Sequence, residues 1–167
     1  MDGVTDNRPV RPMTASTKAM LEAFRDRQRA TLLWKAAGLS EADLRRSPVP
    51  SKITLLGMIK HLTYLERWCF QAIFAGGDPP IPWTQSDPDA HWRIEPGETS
   101  EQILALCQVE ITCSWESAAA ATLEDRVRRP GSNHTVAWVL CHMIQEVARH
   151  SGHADMVREL IHSCTGS

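Results

Sequence analysis

Three histidines and a glutamate recur along one stretch near the C-terminal end of the chain: His142, Glu146, His150 and His153. On a helix of about 100° per residue with His142 at zero, His153 falls at about 20°, Glu146 at about 40° and His150 at about 80°. Val139 and Val157 share this arc and Met143, Ile161, Val136 and Val147 continue it, whereas Gln145, Arg149 and Asp155 lie elsewhere. The imidazoles and the carboxylate therefore face whatever this helix packs on. Burying such groups without a partner is costly. A divalent cation is one partner that accepts neutral imidazole and carboxylate together, and i, i+4 spacing sets two donors on successive turns. A further donor should come from another helix. His61 is the candidate, mid-helix with Met58, Leu62 and Leu65 on its side. The same residues also have plainer readings: a hydrogen-bonded core histidine at position 61, and a helix ion pair between Glu146 and His150. His91, His134 and His162 fall in loops or at a helix end and are assigned no role.

The elements that must position these groups are helical. Residues 1–13, polar and carrying Pro9 and Pro12, read as a flexible N-terminal tail, and 14–163 as a single domain. A first helix is expected from Thr14 or Ser16 to about Gly38, with Met20, Leu21, Phe24 and Leu32 in the core. Ser40 to Asp43 reads as a capped single turn, followed by Pro48 and Pro50 as breakers. A second helix should run from about Thr54 to Ala75 and stop at Gly76–Gly77. Residues 77–99 hold five prolines with Trp83 and Trp92. A loop of this length in a compact domain is usually functional, and two tryptophans argue against disorder. Thr99 to Gln102 fits a capping box and opens a third helix to about Thr122. After a polar connection with Arg126, Arg128 and Arg129, a fourth helix covers roughly Thr135 to His162. No strand-like alternation of useful length appears. The fold class is all-α, a four-helix bundle with a long crossover connection.

Composition excludes several function classes. The chain has 167 residues, 43% hydrophobic and 23% charged, enough for one domain with a real core. A net charge of −2 gives no electrostatic case for nucleic acid or for a membrane surface. No apolar run approaches a bilayer span and no secretory leader is visible. The five cysteines are scattered, with no C-x-x-C pair, which reads as reduced thiols in a cytoplasmic protein.

Two segments carry a family likeness. T-L-L-G-M-I-K-H-L at 54–62 and W-V-L-C-H-M-I-Q-E-V-A-R-H-S-G-H-A-D-M-V-R-E-L-I at 138–161 resemble the DinB-like superfamily. Within it, they are similar to the actinobacterial branch associated with mycothiol-dependent S-transferases. The likeness covers about residues 17–162, with its specificity in those two helices. It implies a four-helix bundle with a long crossover. It also implies a metal held by one histidine of the second helix and an i, i+4 pair of the fourth: His61, Glu146 and His150. Relatives often carry H-x-G-Q where this chain has H-S-G-H, so His153 stands as a fourth ligand, a neighbour of the ligands or a proton carrier. His142, one turn before Glu146, would orient the carboxylate.

Three ligands leave coordination positions open, as in catalytic sites. The resemblance implies that a low-molecular-weight thiol such as mycothiol fills one. Its sulfur, bound as thiolate, would then attack an electrophilic small molecule. His153 or His142 would manage the proton, and Trp83 and Trp92 would wall the substrate pocket. Zinc comes first among the metals, with nickel, iron and manganese also suited to two nitrogens and an oxygen. Neither nucleic acid nor membrane is expected as a partner, and a homodimer is left open. Two alternatives remain at this level: a metal-dependent hydrolase, and a non-enzymatic metal-binding stress-response protein.

Overall fold

The computed structural model describes residues 7–165, the side chains of 163–165 excepted, so the Cys164 side chain and residues 1–6 of the expected tail lie outside what is described. Helices run over Thr17–Ala36 (α1), Glu41–Arg45 (α2), Leu55–Arg67 (α3), Ser100–Ala118 (α4) and Val136–Thr165 (α5). A wider π-helical segment, Trp68–Phe74, continues α3, and a 3₁₀ turn, Ala90–Trp92, lies in the long connection to α4. Among the described residues there is no strand, only an isolated bridge between Arg126 and Thr135. The chain is all-helical, as its pattern predicts.

Local chemistry sets the helix ends. The hydroxyl oxygens of Ser16, Ser40 and Thr54 accept from the backbone N–H groups of Ala19, Asp43 and Gly57. Thr99 and Gln102 make the reciprocal capping box at the start of α4. α4 stops earlier than its apolar pattern extends. Lys18 explains this stop, because its ammonium donates to the carbonyls of Ala118, Ala119 and Ala121 at 2.8, 3.0 and 2.7 Å, satisfying a helix end that would otherwise need another turn. At the end of the π segment, the backbone N–H groups of Arg128 and Arg129 donate to the carbonyls of Phe74 and Ile73 at 2.9 and 3.1 Å.

α1 packs chiefly along α5, and α3 along α4, with α3 also crossing α5. The core between them holds Leu55, Leu56, Met58, Ile59, Phe70, Leu140 and Met143, all essentially inaccessible to solvent. The inward stripe of α1 is unusual. Phe24, expected inside, is 39% exposed and lies under the Arg11 guanidinium, while Arg25 and Arg29 are buried. Arg29 donates through both Nε and Nη2 to the Glu66 carboxylate and from Nη2 to Ser114 Oγ at 2.9 Å, so a buried ionic knot joins α1, α3 and α4. A charge is tolerated inside only when it is paired in this way. Arg25 lies over the Phe70 ring at 5.2 Å.

Candidate metal centre

Gly57 prepares the site one turn before His61. A Cβ at Gly57 would stand 2.6 Å from the carbonyl oxygen of Trp92, so only glycine lets the 90–92 turn rest on α3. Lys60 then fastens the loop, donating to the carbonyl of Arg93 and to Glu98 Oε2, each at 2.7 Å. As a result the Trp92 indole stacks on the His61 ring, with centroids 3.9 Å apart and planes 11° apart. The long connection is therefore a built wall against α3.

From α5, Glu146 and His150 reach the same place. One donor atom from each of His61, Glu146 and His150 lies within 4.8 Å of the others. His150 Nε2 is 3.6 Å from Glu146 Oε2, beyond a good hydrogen bond but close to the roughly 3.4 Å between two donors on a tetrahedral ion. The carboxylate's other oxygen, Oε1, lies 3.5 Å from the Arg149 guanidinium. The rings of His61 and His150 meet edge to face at 4.9 Å.

Electrostatics keep these rings in the donor form. Burial, with His150 and His91 beside it, pushes His61 down to about 3. Burial also lowers His150, against the opposing pull of Glu146, and lowers His91. Neutral rings argue against a Glu146–His150 ion pair. Among the described residues, seven buried side-chain polar atoms lack a hydrogen-bond partner, and five are imidazole nitrogens: both of His61, and Nδ1 of His91, His150 and His153. Most buried polar groups are paired, and a cation beside the carboxylate would take one of the two orphaned His61 nitrogens. The donor set suits a divalent ion.

The remaining candidates are spread unevenly around this centre. His153 has its ring 5.5 Å from that of His150, perpendicular to it. His142 turns to Trp138, stacking at 4.9 Å, and it is Arg149 that touches the carboxylate. Trp83 meets His91 edge-on at 4.9 Å and Trp68 at 5.9 Å. His91, assigned no role from sequence, lies 4.8 Å from the His61 ring. Helical spacing says nothing of a loop residue, and its adjacency to Trp92 was the one available signal. Cys69 is buried, and its thiol is pushed up to about 12 by that burial and by the neighbouring Glu66 and Glu146 carboxylates, which makes it a poor nucleophile.

The sequence model of the mycothiol-S-transferase family matches residues 20–163. The chain belongs to that family. The match takes in α3, α4 and the loop between them entirely, and all but the outer ends of α1 and α5. A search of curated proteins found no match. Among the described residues, no helix of this family member is long and apolar enough to cross a membrane.

Proposed function

We propose that this protein is a metal-dependent thiol S-transferase in which His61, Glu146 and His150 hold one divalent ion, zinc by first preference. The observation that carries the reading is the convergence of their donor atoms within 4.8 Å, with both His61 nitrogens buried and unpartnered. Membership of the mycothiol-S-transferase family supports a low-molecular-weight thiol and an electrophile as substrates. A bound dication would lower the pKa of such a thiol and so supply thiolate at neutral pH.

The chain's own residues do the rest. Desolvation keeps His61 and His150 neutral, so no proton has to be displaced before they act as donors. Trp92 covers the His61 ring and keeps water from it. When the thiol S–H bond is given up, its proton needs a nearby base, and His153 Nδ1 is buried without a partner beside His150. His142 is stacked on Trp138, so the proton role falls to His153. The sulfur lone pair then forms the new bond to the electrophilic carbon while that carbon's bond to its leaving group breaks, and the departing group, carrying off the bonding pair, takes the proton held by His153. Trp83 and Trp92 would face the electrophile's apolar body. No protein nucleophile enters.

The test combines composition and activity. Wild-type protein purified without an affinity tag should carry about one metal ion per chain and consume mycothiol or N-acetylcysteine in the presence of a thiol-reactive probe, in a metal-dependent way. His61→Ala and His150→Ala should lose both metal and activity, while His134→Ala keeps both. Ester or amide hydrolysis without thiol would replace this reading with hydrolysis. Stoichiometric metal with neither activity would leave a non-enzymatic binder.

A further inference from the structure

Arg149 stands at the solvent edge of the candidate metal centre, and the fold gives it nothing else to hold. On the wheel of α5 it falls about 20° outside His142, at the open edge of the arc that carries Glu146, His150 and His153. Its side chain is 52% exposed, and among the described residues its one ion pair is to Glu146 Oε1, 3.5 Å from Nη1. That separation is too long for a good hydrogen bond, so the N–H fork of the guanidinium stays open. Arg158, further along α5, shows the contrast: its Nη1 donates to the carbonyls of Trp34, Lys35 and Ala37 and so closes the end of α1. Arg149 closes no helix and joins no second element. We propose that Arg149 selects electrophiles that carry a carboxylate, receiving that group on the α5 rim of the site.

The charges around the site argue for an anionic partner. A dication held by His61, Glu146 and His150 would have the guanidinium beside it as a like charge. Arg149 also bears on His150, where its charge opposes protonation of the ring. Glu146 cannot compensate both cations, because a carboxylate that gives its charge to an ion holds an arginine more loosely. An anionic group on the substrate relieves the repulsion, and the planar fork of an arginine matches a carboxylate through two parallel N–H···O bonds. The loop side of the site differs. There the acid Asp89 bears on His91, and the cation Lys60 is already paired with Glu98. The α5 side thus offers a free positive charge and the loop side a negative one, which turns the charged end of an anionic substrate toward α5. Rings stand on the loop side, with Trp92 5.2 Å from the His150 ring and Trp83 4.9 Å from that of His91. An aromatic acid matches both sides at once, its ring toward the indoles and its carboxylate toward Arg149. The inference rests on the transferase reading, because it names the second substrate of that reaction.

Two arms on the intact, metal-loaded protein test it. The first omits thiol and follows the quenching of tryptophan fluorescence by 3,5-dinitrobenzoate and by its neutral amide, neither of which has a leaving group. Wild type should bind the acid about tenfold more tightly than the amide, as one charge-assisted contact predicts. Arg149→Gln should lose that preference, and Arg149→Lys, which keeps the charge but not the fork, should recover part of it. No preference in wild type would overturn the proposal. So would a preference that survives in Arg149→Gln, since the carboxylate would then sit on the ion. In the second arm, 4-chloro-3,5-dinitrobenzoate and its amide are turned over with the thiol, and each loses chloride with the bonding pair as sulfur bonds to the ring carbon. The ratio of their KM values should shift about tenfold against the acid in Arg149→Gln, while KM for the thiol stays put. An equal change for both electrophiles, or a change in KM for the thiol instead, would overturn it. If wild type transfers thiol to neither compound, the first arm alone decides the role of Arg149, and the failure belongs to the transferase reading.

Discussion

The protonation of His61 links the site to the stability of the apo protein. An imidazole titrates near 6.5 when unfolded, whereas in the fold burial holds His61 at about 3. Between these values the unfolded chain binds a proton that the folded chain refuses, so stability falls as pH is lowered. Above about 6.5 the contribution is intact. Each unit below it costs about 1.4 kcal/mol, until the folded form also protonates near 3. His61→Phe keeps a ring against Trp92 and removes the titration, so its urea midpoint should vary less than that of wild type between pH 4 and 6.5. Equal slopes in the two proteins would show that the ring is solvated enough to titrate normally. At this scale much was legible in the sequence. A period of 3.6 is enough to put Glu146 and His150 on one face with valines around them, and to set His61 inward. His91 and Arg25 were not legible. The first owes its place to a loop's path, and the second is a charge in an interior position that only Glu66 and Asp26, one of them distant in sequence, make tolerable.

At the level of elements, the site depends on one close approach. The 90–92 turn touches α3 because Gly57 has no side chain. Gly57→Ala would place a methyl group 2.6 Å from the Trp92 carbonyl oxygen and 2.9 Å from Thr54 Oγ1, the hydroxyl that caps α3. Neither backbone nor cap can yield without cost, and overpacking of this kind typically costs about 1–3 kcal/mol. Because the turn carries Trp92 and His91, the variant should retain metal through His61, Glu146 and His150 while losing at least tenfold in thiol transfer. Elemental analysis beside a kinetic assay checks this, and full activity in Gly57→Ala would separate the loop from catalysis. The Gly57 contact also shows where sequence reading stops. A capped helix from Thr54 could be expected, but the π-helical segment from Trp68 ends on carbonyls of Ile73 and Phe74 that accept from residues 129 and 128, partners which no local pattern announces.

Across the whole molecule, two helix pairs share two kinds of fastening. The buried Glu66 carboxylate ties α1 to α3, and Glu66→Gln would leave Arg29 and Arg25 inside with half their compensation. Loss of one partner of a buried pair costs about 3–5 kcal/mol, so this variant should unfold at markedly lower urea concentration with its metal ligands untouched. The proposed ion would act elsewhere. α3 belongs to one pair and α5 to the other, and they meet over a shorter stretch than either meets its own partner. An ion held by His61 from α3 and by Glu146 and His150 from α5 would add a bond at the main junction between the pairs, where packing is still sparser than within either pair. Ligand that binds only the folded state stabilises it by about 4 kcal/mol at a thousandfold excess over its dissociation constant. Chelation should therefore lower the melting temperature of wild type by several degrees and leave His150→Ala unmoved, whereas Glu66→Gln should start lower and still respond to metal. Scanning calorimetry on the three proteins, with and without chelator, separates the two fastenings. A wild-type melt indifferent to chelation would mean that the three side chains meet without an ion between them, and that the orphaned nitrogens are carried by the packing alone.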